Sequence, residues 1–131
     1  IGIHFFDMLS WIFGKVQQNI VSKNDQDVSS GFLEFEKARV KWFLSTNENY
    51  LPENVKKDKI KTFRSMIVNG EEVEFSKGFT DLHTDIYRNI IEGNGFGIKE
   101  ALPSIEIASK IRSFRGFKKI NDLHPFLTKK L

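Results

Sequence analysis

The sequence predicts an α+β domain: an open, mostly antiparallel β-sheet with helices packed on one face. Three observations predict it. Apolar residues recur at helical spacing near the start and again in the second half. Between those stretches, two segments alternate apolar with polar side chains, the period of a strand with one buried face. Asn69-Gly70 then sits between two β-rich runs, the strongest short signal for a hairpin, because both residues tolerate positive φ.

The elements follow in order. Over 4–13, Phe5, Leu9 and Ile12 share one helical stripe, with Met8 and Trp11 beside it, and Gly14 is the natural stop. Lys15 to Lys23 reads as a strand carrying Val16 and Ile20, and Asn24 to Ser30 as a polar turn. Leu33 and Phe35 alternate with Glu34 and Glu36. Ala38, Val40, Trp42 and Leu44 alternate with Arg39 and Lys41, with Glu36-Lys37 turning between the two strands. Thr46 to Asp58 is polar, holds Pro52, and reads as a loop or short helix. Strands over Lys61 to Val68 and Glu71 to Phe75 flank the Asn-Gly turn.

Two helices come next. Thr80 can cap the first, whose stripe is Leu82, Ile86 and Ile90 and whose end is Gly93. The second places Ala101, Ile105, Ala108 and Ile111 at helical spacing, with Pro103 tolerable in a first turn. The tail from Phe114 has no clear period. Phe43, Phe63 and Ile67 fall opposite their strands' other apolar residues, which favours a partner on the second sheet face.

Composition narrows the class. A chain of 131 residues has room for a single core, so residues 1–131 read as one domain. Hydrophobic residues make up 40%, and no apolar run approaches the roughly 18 residues that span a membrane. The opening run carries His4 and Asp7 and lacks a basic start, so it does not read as a signal segment. The absence of Cys excludes thiol chemistry and fits a reducing, cytoplasmic compartment. The net charge of +3 is mild. The basic cluster of Lys56, Lys57, Lys59 and Lys61 lacks the aromatic or helical motif of a nucleic-acid site. The chain opens abruptly on an apolar, His-bearing run, which reads as the second half of a longer motif and the domain as truncated at its N-terminus.

Few residues can carry chemistry. None of His4, His83 and His124 has the paired spacing of a metal site. His4 and Asp7 lie one helical turn apart. A neutral imidazole there could accept a proton from a substrate hydroxyl, or His4 could be a half-buried residue hydrogen-bonded to Asp7. His83 follows the cap Thr80, where unpaired N–H groups could touch an anion or serve ordinary capping. His124 reads as tail packing. The run Gly93, Gly95, Gly97 fails the dinucleotide fingerprint, because its third glycine would fall on Ile98 and no strand leads in. The chain therefore carries no complete active site, no cofactor-binding residue and no metal ligand set of its own.

Six blocks together resemble the C-terminal domain of the Gfo/Idh/MocA family of nicotinamide-dependent oxidoreductases, and within it the enzymes that oxidise the 3-hydroxyl of UDP-N-acetylglucosaminuronate. They are I-G-I-H-F-F-D-M-L-S-W-I-F-G (1–14), A-R-V-K-W-F-L-S (38–45), F-R-S-M-I-V-N-G-E-E-V-E-F (63–75), G-F-T-D-L-H-T-D-I-Y (78–87), G-F-G-I-K-E-A-L-P-S-I-E (95–106) and H-P-F-L (124–127). The resemblance implies a missing N-terminal Rossmann domain that binds NAD or NADP and holds a catalytic Lys. It implies a homo-oligomer built through the open sheet face and a nucleotide-sugar substrate used in surface-polysaccharide or lipopolysaccharide biosynthesis. The family's G-x-H-x-x-D segment is matched by Gly2, His4 and Asp7, which makes His4 the expected general acid/base. It further implies substrate contacts at Asp7, Lys41, Thr80 and His83. A fragment of this kind alone should be inactive. The contrasting reading, a non-enzymatic oligomerisation or carbohydrate-binding module, would share the sheet but need no acid/base residue.

Overall fold

The computed structural model describes residues 2–59, 61–76, 82–121 and 123–128. They form two compact units, one of residues 1–46 with 96–131 and the other of residues 47–95.

The first unit is an α+β layer. Helix α1 (Gly2–Phe13) leads into strands β1 (Val16–Asn24), β2 (Val28–Phe35) and β3 (Arg39–Ser45). All three pair antiparallel, and the sheet order is β3-β2-β1-β6, where β6 is the two-residue Gly116–Phe117. Helix α4 (Ile98–Ser113) and the short α5 (Pro125–Thr128) complete the unit. The register sorts the two sheet faces. Leu33 pairs with Val40 and Asn19, and Gly31 with Trp42 and Val21, so these side chains share one face. Phe32 pairs with Lys41 and Ile20 on the other.

Helices α1 and α4 cover the first face. Phe6 meets Trp42 edge-on at 5.4 Å between ring centroids, and Phe13 packs on Phe35. Leu33, at 0% exposure, lies in this core with Leu9, Val21, Ile107 and Ile111. Gly31 is required by close approach: a Cβ there would collide with the Ile20 carbonyl and lie 2.7 Å from Trp42 Cζ2.

Strand β1 holds a bulge between Val21 and Lys23. The extra residue restores parity with α4, so that Asn19 and Asn24, five positions apart, both reach that helix. Asn19 Nδ2 donates to the Ile107 carbonyl at 3.4 Å, and Asn24 Nδ2 donates to the carbonyls of Ile111 and Phe114 at 3.0 and 2.8 Å. Polar pairs also staple the buried part of the strands: Ser22 Oγ donates to the Ser30 carbonyl and Ser30 Oγ to the Trp42 carbonyl, both at 2.9 Å.

The second unit holds a 3₁₀ turn (Glu48–Tyr50), α2 (Glu53–Lys57), the hairpin β4 (Ser65–Val68) and β5 (Glu71–Glu74), and α3 (Leu82–Ile91). Asn69 and Gly70 take φ values of 52° and 90°, the double left-handed geometry of a two-residue hairpin turn. At the end of α3, Gly93 N–H donates to the Ile90 carbonyl and Asn94 N–H to the Asn89 carbonyl at 2.8 Å, a Schellman closure. Among the described residues of this unit, Val55 is the one buried hydrophobic side chain.

Several expectations need correction. Strand β2 begins at Val28, inside the segment read as a turn, because Asp25 Oδ1 accepts the Val28 N–H and closes the reversal within three residues. Residues 61–64 with Phe63 precede the β4 ladder and are not strand. The hairpin is a separate two-stranded sheet and not an extension of the main one. Helix α4 starts at Ile98, so Pro103 lies past the first turn and removes an interior hydrogen bond. Its buried face is Ser104, Ile107 and Ile111, whereas Ile105 is 46% exposed. Phe43 meets the chain's own tail and not a vacant face. The Thr80 cap lies outside the described residues.

Candidate functional site

Helix α1 presents the first candidates. Its inward face (Phe6, Leu9, Phe13) anchors it on the sheet, and its outward face carries His4, Asp7 and Trp11 at positions i, i+3 and i+7. His4 and Asp7 are exposed, and Trp11 is 83% exposed. Among the described residues, no hydrogen bond ties His4 to Asp7, so the imidazole is not the half-buried, carboxylate-held group of the structural alternative.

Two glycines fix this helix. A Cβ on Gly2 would come 2.5 Å from Leu44 Cδ1, so glycine lets the first turn, two residues before His4, lie close to β3. Gly14, at φ 85°, closes the other end: its N–H donates to the Ser10 carbonyl at 3.0 Å. The chain then turns into β1, with Lys15 N–H donating to Glu36 Oε2 at 3.2 Å. The helix is thus held at both ends with His4 and Asp7 facing outward.

The other predicted residues lie elsewhere. Lys41 is exposed on β3, but its neighbour Trp42 is the side chain that meets α1, so Lys41 points to the opposite sheet face. His83 is exposed in the first turn of α3, within the second unit. The structure therefore brings His4 and Asp7 together and leaves Lys41 on the far side of the sheet. Among the described residues no group of three His, Asp or Glu side chains could hold a metal ion.

The region resembling a glycine-rich phosphate loop does not fit a dinucleotide. Gly97 precedes α4, and its N–H donates to Glu100 Oε2 at 2.7 Å. A carboxylate of this chain therefore occupies the helix start that a phosphate would need. No described helix is long and apolar enough to cross a membrane.

His124 does pack the tail, but it also organises it. The imidazole stacks on Phe43 at 5.5 Å and an interplanar angle of 25°, and Phe126 meets both rings edge-on. Burial, and then the nearby charge of Lys41, lower its pKa from the ordinary 6.5. The H-P dipeptide at 124–125 was the available signal, since Pro favours a first helical position and so makes the preceding residue a cap.

No family model matches the chain. Solved structures do, and two of them are the following. One is the WlbA (WbpB) dehydrogenase from Thermus thermophilus in complex with NAD and α-ketoglutarate. It is 46% identical, with a TM-score of 0.88, over 96% of this chain and 41% of that one. The other is the same organism's WlbA (WbpB) dehydrogenase in complex with NAD and UDP-GlcNAcA. It is 44% identical, with a TM-score of 0.86, over 95% of this chain and 40% of that one. The chain thus spans about two fifths of the length of the solved relatives it matches. The resemblance to the C-terminal domain of the Gfo/Idh/MocA oxidoreductases is borne out: over nearly all of its length, the chain is similar to a domain-sized portion of the WlbA (WbpB) dehydrogenase.

Proposed function

We propose that this chain is the substrate-side domain, residues 1–131, of an NAD(P)-dependent dehydrogenase that oxidises the 3-hydroxyl of a UDP-linked N-acetylated sugar uronate. The observation that carries the reading is the 44% identity, over 95% of the chain, to a dehydrogenase crystallised with NAD and UDP-GlcNAcA. The outward placement of His4 on a helix pinned at both ends supports it.

In this reading His4 is the general base. Its exposed imidazole accepts the proton of the sugar hydroxyl, and Asp7, one turn along, contacts the substrate beside it. A nicotinamide cofactor supplies hydride acceptance, and the groups that bind it belong to the rest of the protein, which also supplies a Lys at the reacting oxygen. Thr80 and His83 are further substrate contacts. Lys41, on the opposite face, would need a contribution from outside this domain to reach the sugar. The enzyme works in the cytoplasm, in surface-polysaccharide or lipopolysaccharide synthesis, as a homo-oligomer built through the open sheet face. The domain alone is inactive.

His4→Asn in the full-length protein tests the assignment. Proton-transfer help of this kind contributes on the order of 10²–10⁴ in rate, so kcat should fall by that factor while NAD binding is retained. Turnover within a few-fold of wild type would refute the role of His4.

A further inference from the structure

The last described segment, 123–128, is fastened to the open sheet face through one titratable side chain. His124 Nδ1 accepts the backbone N–H of Phe126 at 3.2 Å, and the His124 carbonyl accepts those of Leu127 and Thr128 at 2.9 and 3.2 Å. The imidazole is therefore the N-cap of α5, a function that requires an unprotonated Nδ1. The segment's anchor is Leu127, 2% exposed, and its aromatic contact is the Phe43–His124–Phe126 cluster.

We propose that His124 is a pH-sensitive latch: neutral, it holds residues 123–128 against the sheet at Phe43; protonated, it releases them and bares Phe43, Phe126 and Leu127. Three effects act in one direction on protonation. The Nδ1 lone pair is lost, so the cap to Phe126 breaks. A cation is placed in a half-buried aromatic cluster. That cation also faces Lys41 across the same sheet face. Also on this face, Arg39 Nε of β3 lies 3.2 Å from Glu34 Oε1 of β2, and Lys23 Nζ of β1 lies 3.1 Å from Asp25 Oδ2, just past that strand's end. Helix α5 itself, Pro-Phe-Leu-Thr, has no titratable side chain. Asp122 lies outside the described residues. The inference rests on the fold and not on the enzymatic reading.

The direction follows from linkage. The docked imidazole binds its proton more weakly than the released one, so docking is fully supported above the ordinary value of 6.5 and is lost as pH falls below it. Hydrogen–deuterium exchange of the intact protein between pH 8 and pH 5, corrected for intrinsic rates, reads this out. Protection of the Phe126, Leu127 and Thr128 amides should fall by up to about tenfold per pH unit below 6.5, while the β1–β3 amides stay protected. His124→Gln should abolish the pH dependence. Lys41→Met should shift the loss to lower pH, because the docked imidazole then tolerates its proton better. A merely structural lysine would change protection equally at all pH values. Flat protection in the wild type, or the same pH dependence in His124→Gln, overturns the latch.

Discussion

The two units put their apolar sequence to different ends. In the first, Phe6, Leu9, Leu33, Phe35, Trp42, Ile107 and Leu127 are each at most 6% exposed, and two helices close one sheet face. In the second, α3 shows Ile86, Tyr87, Ile90 and Ile91 at 44–84% exposure, and the hairpin shows Ile67 at 69% and Val73 at 50%. The physical difference is the number of layers. A sheet with helices on it buries each element's apolar side against another, whereas a two-stranded hairpin has too few strands to form a stable face alone. Among the described residues of the second unit, amphipathic patterning therefore does not mark a buried core.

The largest expected effect comes from truncating the two regions alike. Leu33→Ala removes a side chain with 0% exposure and should cost about 2–5 kcal/mol in chemical unfolding of the intact protein. Ile67→Ala, at 69% exposure, should stay within about 0.5 kcal/mol. Equal costs would mean that Ile67 is buried in the intact protein, and the contrast would vanish.

A middle-sized test compares the helix ends. Asn24→Ala takes the side-chain donor from the Ile111 and Phe114 carbonyls at the end of α4 and should cost about 1–3 kcal/mol. Asn89→Ala on exposed α3 removes a single contact to the Asp85 carbonyl and should cost less than about 0.5 kcal/mol, because the Schellman bonds are backbone. Loss of α4 amide protection in the first variant, with α3 protection kept in the second, is the expected exchange pattern.

The smallest effect is at Asp25. Burial pushes its carboxyl up, but hydrogen bonds from Lys23 and from the Val28 and Asp27 backbone outweigh that and hold its pKa below 3.8. Its contribution is therefore present above 3.8 and disappears as pH falls through the lowered value. Because the group is largely solvated, Asp25→Asn should bring a slight loss at pH 7 that vanishes in acid, seen as converging melting curves. A loss that persisted in acid would assign the effect to packing.

Much of this was legible locally. The alternation in 33–44, the stops at Gly14 and Gly93 and the Asn-Gly turn each follow from one residue's steric needs or from side-chain period, and each is found where expected. What escaped was non-local. Asn19, Ser22 and Ser30 look like surface or turn residues, yet they are buried because a carbonyl of α4, β2 or β3 waits for each. Ile105 fits a helical stripe, but the sheet touches α4 along Ser104, Ile107 and Ile111, so the stripe rotates. Of the candidate site, His4 and Asp7 were paired by their three-residue spacing, while the separation of Lys41 needed the knowledge that Trp42 faces α1.

The sequence by itself determined the class of fold and the run of strands from β1 to β5 along the chain, since periods and glycine conformations are properties of neighbouring residues. The tertiary structure alone decided which side of each element faces in, that β1 bulges to bring Asn19 and Asn24 onto α4, and that His124 caps a helix against Phe43. Those outcomes depend on contacts between residues up to 90 positions apart. Their energies exist only once the chain has folded, so no local pattern encodes them.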